Sequence, residues 1–299
     1  MNVDSTSSKG KKLVNRSATD DEKQTNVLPK GIQWNFHVTS DMQLDLVEAQ
    51  IIAYVYHPNK DKEEPLVSSN GIIGYRSDFD TLAPGMIIND KIMTLICRRS
   101  TWIQNNYNRG AVWYLPPSFA EDVFSGMSTF KLIDRYFRNW MEPNSNLKYI
   151  YVPIKTETGH WFLMVISLEL QIKYHLDSFC RMEDIECRST TMSILSNSLN
   201  RMVRFPYYGT TFDGRSIDFL GWPLEQAKGI PNCGHSDNAA AWLIEWIDMG
   251  ECFTSNIQGE LLENNIRIRT ATRLLLEMYN ELKTTIEVEA KENWRLINS

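Results

Sequence analysis

The sequence predicts an α+β fold, a small central sheet flanked by helices, and three observations predict it. Between residues 148 and 179 the runs "KYIYVPI", "HWFLMVISL" and "IKYHLDSF" are β-branched and aromatic and are separated only by turn residues, as expected of consecutive strands. On both sides of this block apolar residues recur at helical spacing. No repeat of fixed period runs through the chain, which excludes a solenoid. Helices around one block of strands, rather than alternating strand and helix, define the α+β class.

Residues 1–31 are rich in Ser, Thr, Lys and Asp and carry too few apolar groups to offset ordering entropy, so a disordered tail is expected ahead of one domain over 32–299. In "DMQLDLVEAQIIAYVYH" the positions of Leu44, Val47 and Ile51 predict a helix that passes into an extended, β-branched finish. "HPNKDKEEPLVSSNG" reads as a charged loop, and "INDKIMTLICRRSTWIQ" as a helix with Asn89 or Asp90 at its N-cap. "AVWYLPPSFAEDVF" predicts a short strand, a Pro-Pro break, and a helix capped by Ser118 with Glu121 completing a capping box. "KLIDRYFRNWM" and "TTMSILSNSLNRMVRF" are amphipathic helices flanking the three strands, of which the middle is apolar enough for burial on both faces. "YYGTTFDGRS" is loop, "SDNAAAWLIEWIDM" a helix with Ser236 at the N-cap, and "NIRIRTATRLLLEMYNELKTTIE" one last long helix.

Composition narrows the function classes. A formal charge of −6 without a basic run offers no footprint for phosphate backbones, so nucleic acid is not expected as a partner. Apolar runs fall well short of the ~20 residues that cross a bilayer, and a soluble protein is expected. The five cysteines stand singly and the N-terminus is polar, the usage of a reduced, intracellular chain. Neither His-x-x-x-His nor paired cysteines occur, so no metal is expected.

Two residues stand where chemistry could be built. His160 begins the middle predicted strand and Asp177 ends the next, so antiparallel pairing brings an imidazole beside a carboxylate that can fix its tautomer and stabilise its protonated form. Polar strand caps would use the same residue types. His175, in the same segment, is read as a strand residue without a role. Cys233, in "PNCG" shortly before a helix, is the candidate nucleophile, since a helix N-terminus lowers a thiol's pKa; a buried loop thiol is the plainer reading. Ser236 and Ser178 are explained by capping and turn roles.

Taken together, "IINDKIMTL" at 87–95, "GHWFLMVISLELQIKYHLDSF" at 159–179 and the apolar helix at 237–248 resemble the ubiquitin-like-protein-specific cysteine proteases, the SUMO proteases and their relatives, over about residues 80–285. That family shows a "WLND" segment, a "HW" strand, a "LDS" strand end seventeen residues after the His, and a segment "PQQ-x-N-x-x-DCG-VFV". Here 177 − 160 is also seventeen. The resemblance implies a papain-like cysteine protease fold, with His160 as base and then acid and Asp177 as the residue that orients it.

The last segment aligns in two ways. Without a gap, Asp-Cys-Gly falls on Asn238, Ala239 and Ala240, so the nucleophile position is Ala239 and the oxyanion-hole Gln falls on Cys233. With one inserted residue, Cys233-Gly234 is the Cys-Gly pair and Gln226 the oxyanion residue, but His235, Ser236 and Asp237 must then begin a buried helix. Leaving their polar groups unsatisfied costs about 1–3 kcal/mol each. The family's tunnel for a diglycine tail is walled by the Trp of "WLND" and that of "HW"; these positions hold Ile87 and Trp161 here. The resemblance thus implies a thiol peptidase or isopeptidase acting on SUMO or another ubiquitin-like protein through His160, Asp177, Cys233 and Gln226. Its alternative is a pseudoprotease that binds the modifier without turnover. It implies a nuclear or cytoplasmic location, and no cofactor, because side chains alone carry the mechanism.

Overall fold

The computed structural model describes residues 28–29, 32–34, 36, 42, 44–107, 111–212, 217–227, 230, 236–250, 253 and 263–299. Five strands form one mixed sheet: β3 (Val112–Tyr114), β4 (Tyr149–Lys155), β5 (Trp161–Ser167), β6 (Ile172–Leu176) and β7 (Leu224–Gln226), ordered as numbered. The middle three pair antiparallel as expected, while β3 and β7 join the two edges in parallel. β7 was not anticipated; its three residues are exposed and carry no apolar alternation to announce a strand.

All seven residues of β5 are buried. On one of its faces Phe162 and Met164 meet Arg188 and Ser196 of helix α6 (Ile185–Val203). The indole of Trp161, whose position alternates with these, donates to the carbonyl of Ile88 at 3.1 Å. Helix α7 (Ala239–Met249) also packs on β5 and reaches helix α3 (Asp90–Tyr107) and helix α8 (Glu263–Leu276). Helices α4 (Ser118–Phe124) and α5 (Thr129–Trp140) pack against α6.

Several expected boundaries move, each for a local reason. The β-branched finish after Ile51 is helical: α1 (Leu46–Val55) runs through it, started by a capping box between Asp45 and Glu48, and burial overrides strand propensity. The "PLVSSNG" loop is instead a hairpin, β1 (Pro65–Ser69) and β2 (Ile72–Tyr75), turned at Asn70 and Gly71 with φ of 49° and 77°. Asn-Gly favours such a turn because both central residues need positive φ. It leads into the single-turn α2 (Arg76–Phe79). Asn89 does cap α3, accepting from the Ile92 amide at 2.9 Å. Ser118 does not cap α4; Pro117 holds that position, and the Ser118 hydroxyl meets the Tyr136 hydroxyl instead. Ser236 opens a 3-10 turn, Ser236–Asn238, and the N-cap of α7 is Asn238.

The last long helix is two, α8 and α9 (Lys283–Ile297), broken around Asn280. Its buried amide accepts from the Ser68 and Leu282 N–H groups and donates to the Leu66 and Leu275 carbonyls. A continuous helix could not satisfy these four groups. Asn280→Ala leaves them unpaired, and unfolding in urea is expected to show a loss of about 2–4 kcal/mol. The start of the described chain is tied down as well: Leu28, within the stretch expected to be disordered, is buried in the core, and the Trp34 indole donates to Pro29. No helix among the described residues is long and apolar enough to cross a membrane.

Candidate functional site

His160 sits between the turn that joins β4 to β5 and the first residue of β5. Its backbone is held on both sides by Thr156, whose amide donates to the His160 carbonyl at 2.8 Å and whose hydroxyl accepts from the His160 amide at 3.1 Å. Gly159, at φ 86°, makes the tight reversal possible. Asp177 follows β6 directly. The β5–β6 register, with Leu163 opposite Leu176, places the start of one strand diagonally across from the end of the other, and Nε2 of His160 meets Oδ1 of Asp177 at 2.7 Å. Both residues are buried.

Further groups fix the carboxylate. The Phe179 amide donates to Oδ1 at 2.9 Å, and Arg188 Nε donates to Oδ2 at 3.0 Å. His175 Nε2 stands 3.6 Å from Oδ2, too far for a good hydrogen bond. Burial by itself would raise the pKa of Asp177. The His160 hydrogen bond, then the nearness of His175, the charge of His160 and the Phe179 amide outweigh it, holding the carboxyl well below the usual carboxylate range. A depressed folded-state pKa contributes stability that is complete above the unfolded value of about 3.9 and is lost as pH falls toward the folded value. Urea midpoints measured from pH 5 downward should therefore fall progressively below about pH 4, and that component should be missing from Asp177→Asn.

An ionised Asp177 accepts, so the proton of a neutral His160 belongs on Nε2. Nδ1 then carries the lone pair, and it is buried without a hydrogen-bond partner among the described residues. Its base site is thus not consumed by structure. His160 lines a cleft of about 690 Å³ together with Lys155, Phe162, Phe179, Cys187 and Arg188.

Arg188 escapes sequence reasoning. It lies in the first turns of α6, where a cation opposes the helix dipole, and its guanidinium stacks 4.7 Å over Phe162 while binding Asp177. That breach of a local preference is the only sequence sign of its role.

Trp161 is buried and Ile87 is 49% exposed; the Trp161–Ile88 hydrogen bond ties the segment after Ile87 to the tryptophan, and Lys155 lies 5.3 Å over its ring. Gln226 is exposed on β7, paired in register with His175. Ser178 is buried. Ala239 is fully buried as the first residue of α7, and Asp237 just before it is exposed. Cys233 and His235 lie outside the described residues.

A small mixed sheet flanked by helices, with a paired imidazole and carboxylate at the rim of its central strands, makes this an α+β fold that can set a general base beside a nucleophile. Residues 88–207 match the model of the Ulp1 protease family, C-terminal catalytic domain. Among solved structures, the chain resembles the C-terminal Ulp1 protease domain in complex with Smt3, the yeast ortholog of SUMO, with a TM-score of 0.59 and 16% identity over 81% of this chain and 100% of that one. It also resembles the Ulp1-like SUMO protease catalytic domain of Chaetomium thermophilum, with a TM-score of 0.54 and 15% identity over 82% of this chain and 92% of that one. No curated protein matches it in sequence. In sequence over 88–207, and in fold over about four-fifths of its length, the chain is similar to Ulp1 protease domains. His160 and Asp177 fall inside the matched segment, whereas Cys233 and Ala239 fall beyond it.

Proposed function

We propose that the chain is a Ulp1-type cysteine peptidase domain, spanning about residues 32–299, that acts at the C-terminal glycine of SUMO or another ubiquitin-like protein. The observation that carries this reading is the buried His160–Asp177 pair with Nδ1 of His160 left unpartnered among the described residues. In this reading His160 takes the proton of the Cys233 thiol, and Asp177 stabilises the imidazolium that forms. The thiolate attacks the glycine carbonyl, the C–N bond breaks as His160 gives its proton to the leaving amine, and water, deprotonated by His160, then hydrolyses the thioester to the free carboxylate and the thiol. Gln226 and backbone amides hold the oxyanion. Trp161 and Ile87 flank the diglycine. A location inside the cell, nuclear or cytoplasmic, goes with the unpaired state of Cys97, Cys180 and Cys187.

A second reading, binding without turnover, is favoured by one observation: the buried helix begins at Ala239, and exposed Asp237 precedes it. This supports the alignment without a gap, in which a methyl group stands where a nucleophile would. A SUMO bearing a C-terminal electrophile separates the two. Labelling of the wild type that disappears in Cys233→Ala supports turnover through that thiol. Binding without labelling supports the second reading, and Ala239→Cys should then gain labelling.

A further inference from the structure

We propose that His175, Asp177 and Cys180 form a binding site for a divalent transition-metal ion, zinc above all, that shares the carboxylate of the His160–Asp177 pair. The three lie in "HLDSFC", with His175 and Asp177 two apart on one face of the extended strand end and Cys180 in the turn that follows. One donor atom from each residue falls within 4.8 Å of the other two.

Two observations point to a ligand rather than to chance proximity. The first is His175, only 8% exposed, whose Nε2 is buried and without a hydrogen-bond partner among the described residues. Its ring is already set by an edge contact on Phe162, with centroids 5.5 Å apart. The second is the 3.6 Å between that Nε2 and Oδ2 of Asp177. This is long for a hydrogen bond, yet close to the roughly 3.3 Å that separates a nitrogen and an oxygen donor sharing a tetrahedral zinc. With Cys180 Sγ within 4.8 Å of both other donors, the three make a mixed nitrogen, oxygen and sulfur set with a fourth position open, a donor combination that suits zinc.

The surroundings suit this occupant. Arg188 Nε, 3.0 Å from Oδ2, donates to the ligating carboxylate and so holds its orientation. The Cys180 thiol, which donates to the Arg181 carbonyl at 3.7 Å, gives its proton to solvent on binding. Asp177 then keeps His160 on Oδ1 and presents the metal on Oδ2.

Cobalt(II) titrated into the reduced chain of residues 1–299 tests the site without recourse to turnover. One equivalent should bind with a thiolate-to-cobalt charge-transfer band and the visible ligand-field bands of a four-coordinate centre, and zinc should displace it. The charge-transfer band should vanish in Cys180→Ser, and affinity should fall by more than about a hundredfold in His175→Gln, since losing a group that merely hydrogen-bonds a ligand already costs up to about that much. Cys187→Ala and Cys233→Ala should keep both. No stoichiometric binding by the folded chain overturns the proposal, and so does a band that survives Cys180→Ser or disappears with Cys233→Ala. Cobalt binding with no SUMO-probe labelling leaves the metal site standing and removes only the catalytic reading.

Discussion

Asp177→Asn should be the most destabilising conservative change in the domain, lowering the free energy of urea unfolding at neutral pH by about 3–5 kcal/mol. The substitution keeps the shape of the side chain and removes its charge. Arg188, whose side chain is 7% exposed, then holds a buried guanidinium without its carboxylate. One half of a buried ion pair is costly because it was desolvated for a partner that has gone. The partner test follows: Arg188→Met alone should also destabilise, whereas Arg188→Met combined with Asp177→Asn should recover a large part of the loss, since the stem still packs on Phe162. Strict additivity of the two changes would show that the pair does not act as a unit.

His160→Ala should leave unfolding closer to wild type than Asp177→Asn does, while labelling or hydrolysis through the thiol falls by about 10²–10⁴, the usual contribution of a positioned general base. The separation arises because His160 supplies one of several contacts to Asp177, with Arg188 and the Phe179 amide remaining in place. Equal labelling rates in wild type and His160→Ala would assign activation of the thiol to another group.

Much of this arrangement was legible before any coordinates. The strand block from Tyr149 to Leu176 could be read because its β-branched and aromatic runs are long and its turns short, and the His160–Asp177 meeting followed from antiparallel register alone. The start of α3 was legible for a similar reason, since Asn89 caps through its own side chain. What escaped was set by partners distant in sequence. The break between α8 and α9 depends on Asn280 reaching Leu66 and Ser68, more than two hundred residues away. Strand β7 exists because β6 offers it an edge, not because "LEQ" favours extension. Arg188 is recognisable only once Asp177 and Phe162 are beside it. The hairpin at Asn70-Gly71 is a different case, since its signal was present and the charged residues around it masked it.

The clasp made by Asn280 has a practical consequence for dissecting the molecule. Asn293 donates to the carbonyl of Ala53, and α9 packs on α1, so the beginning and end of the described domain hold one another. A fragment cut at the limits of the family match, 88–207, would keep His160, Asp177 and Arg188 yet lose α7, and the covering that helix gives to β5. Bare apolar strand surface of that kind invites self-association. The segment that matches the protease family model is therefore one that should not survive excision from the chain.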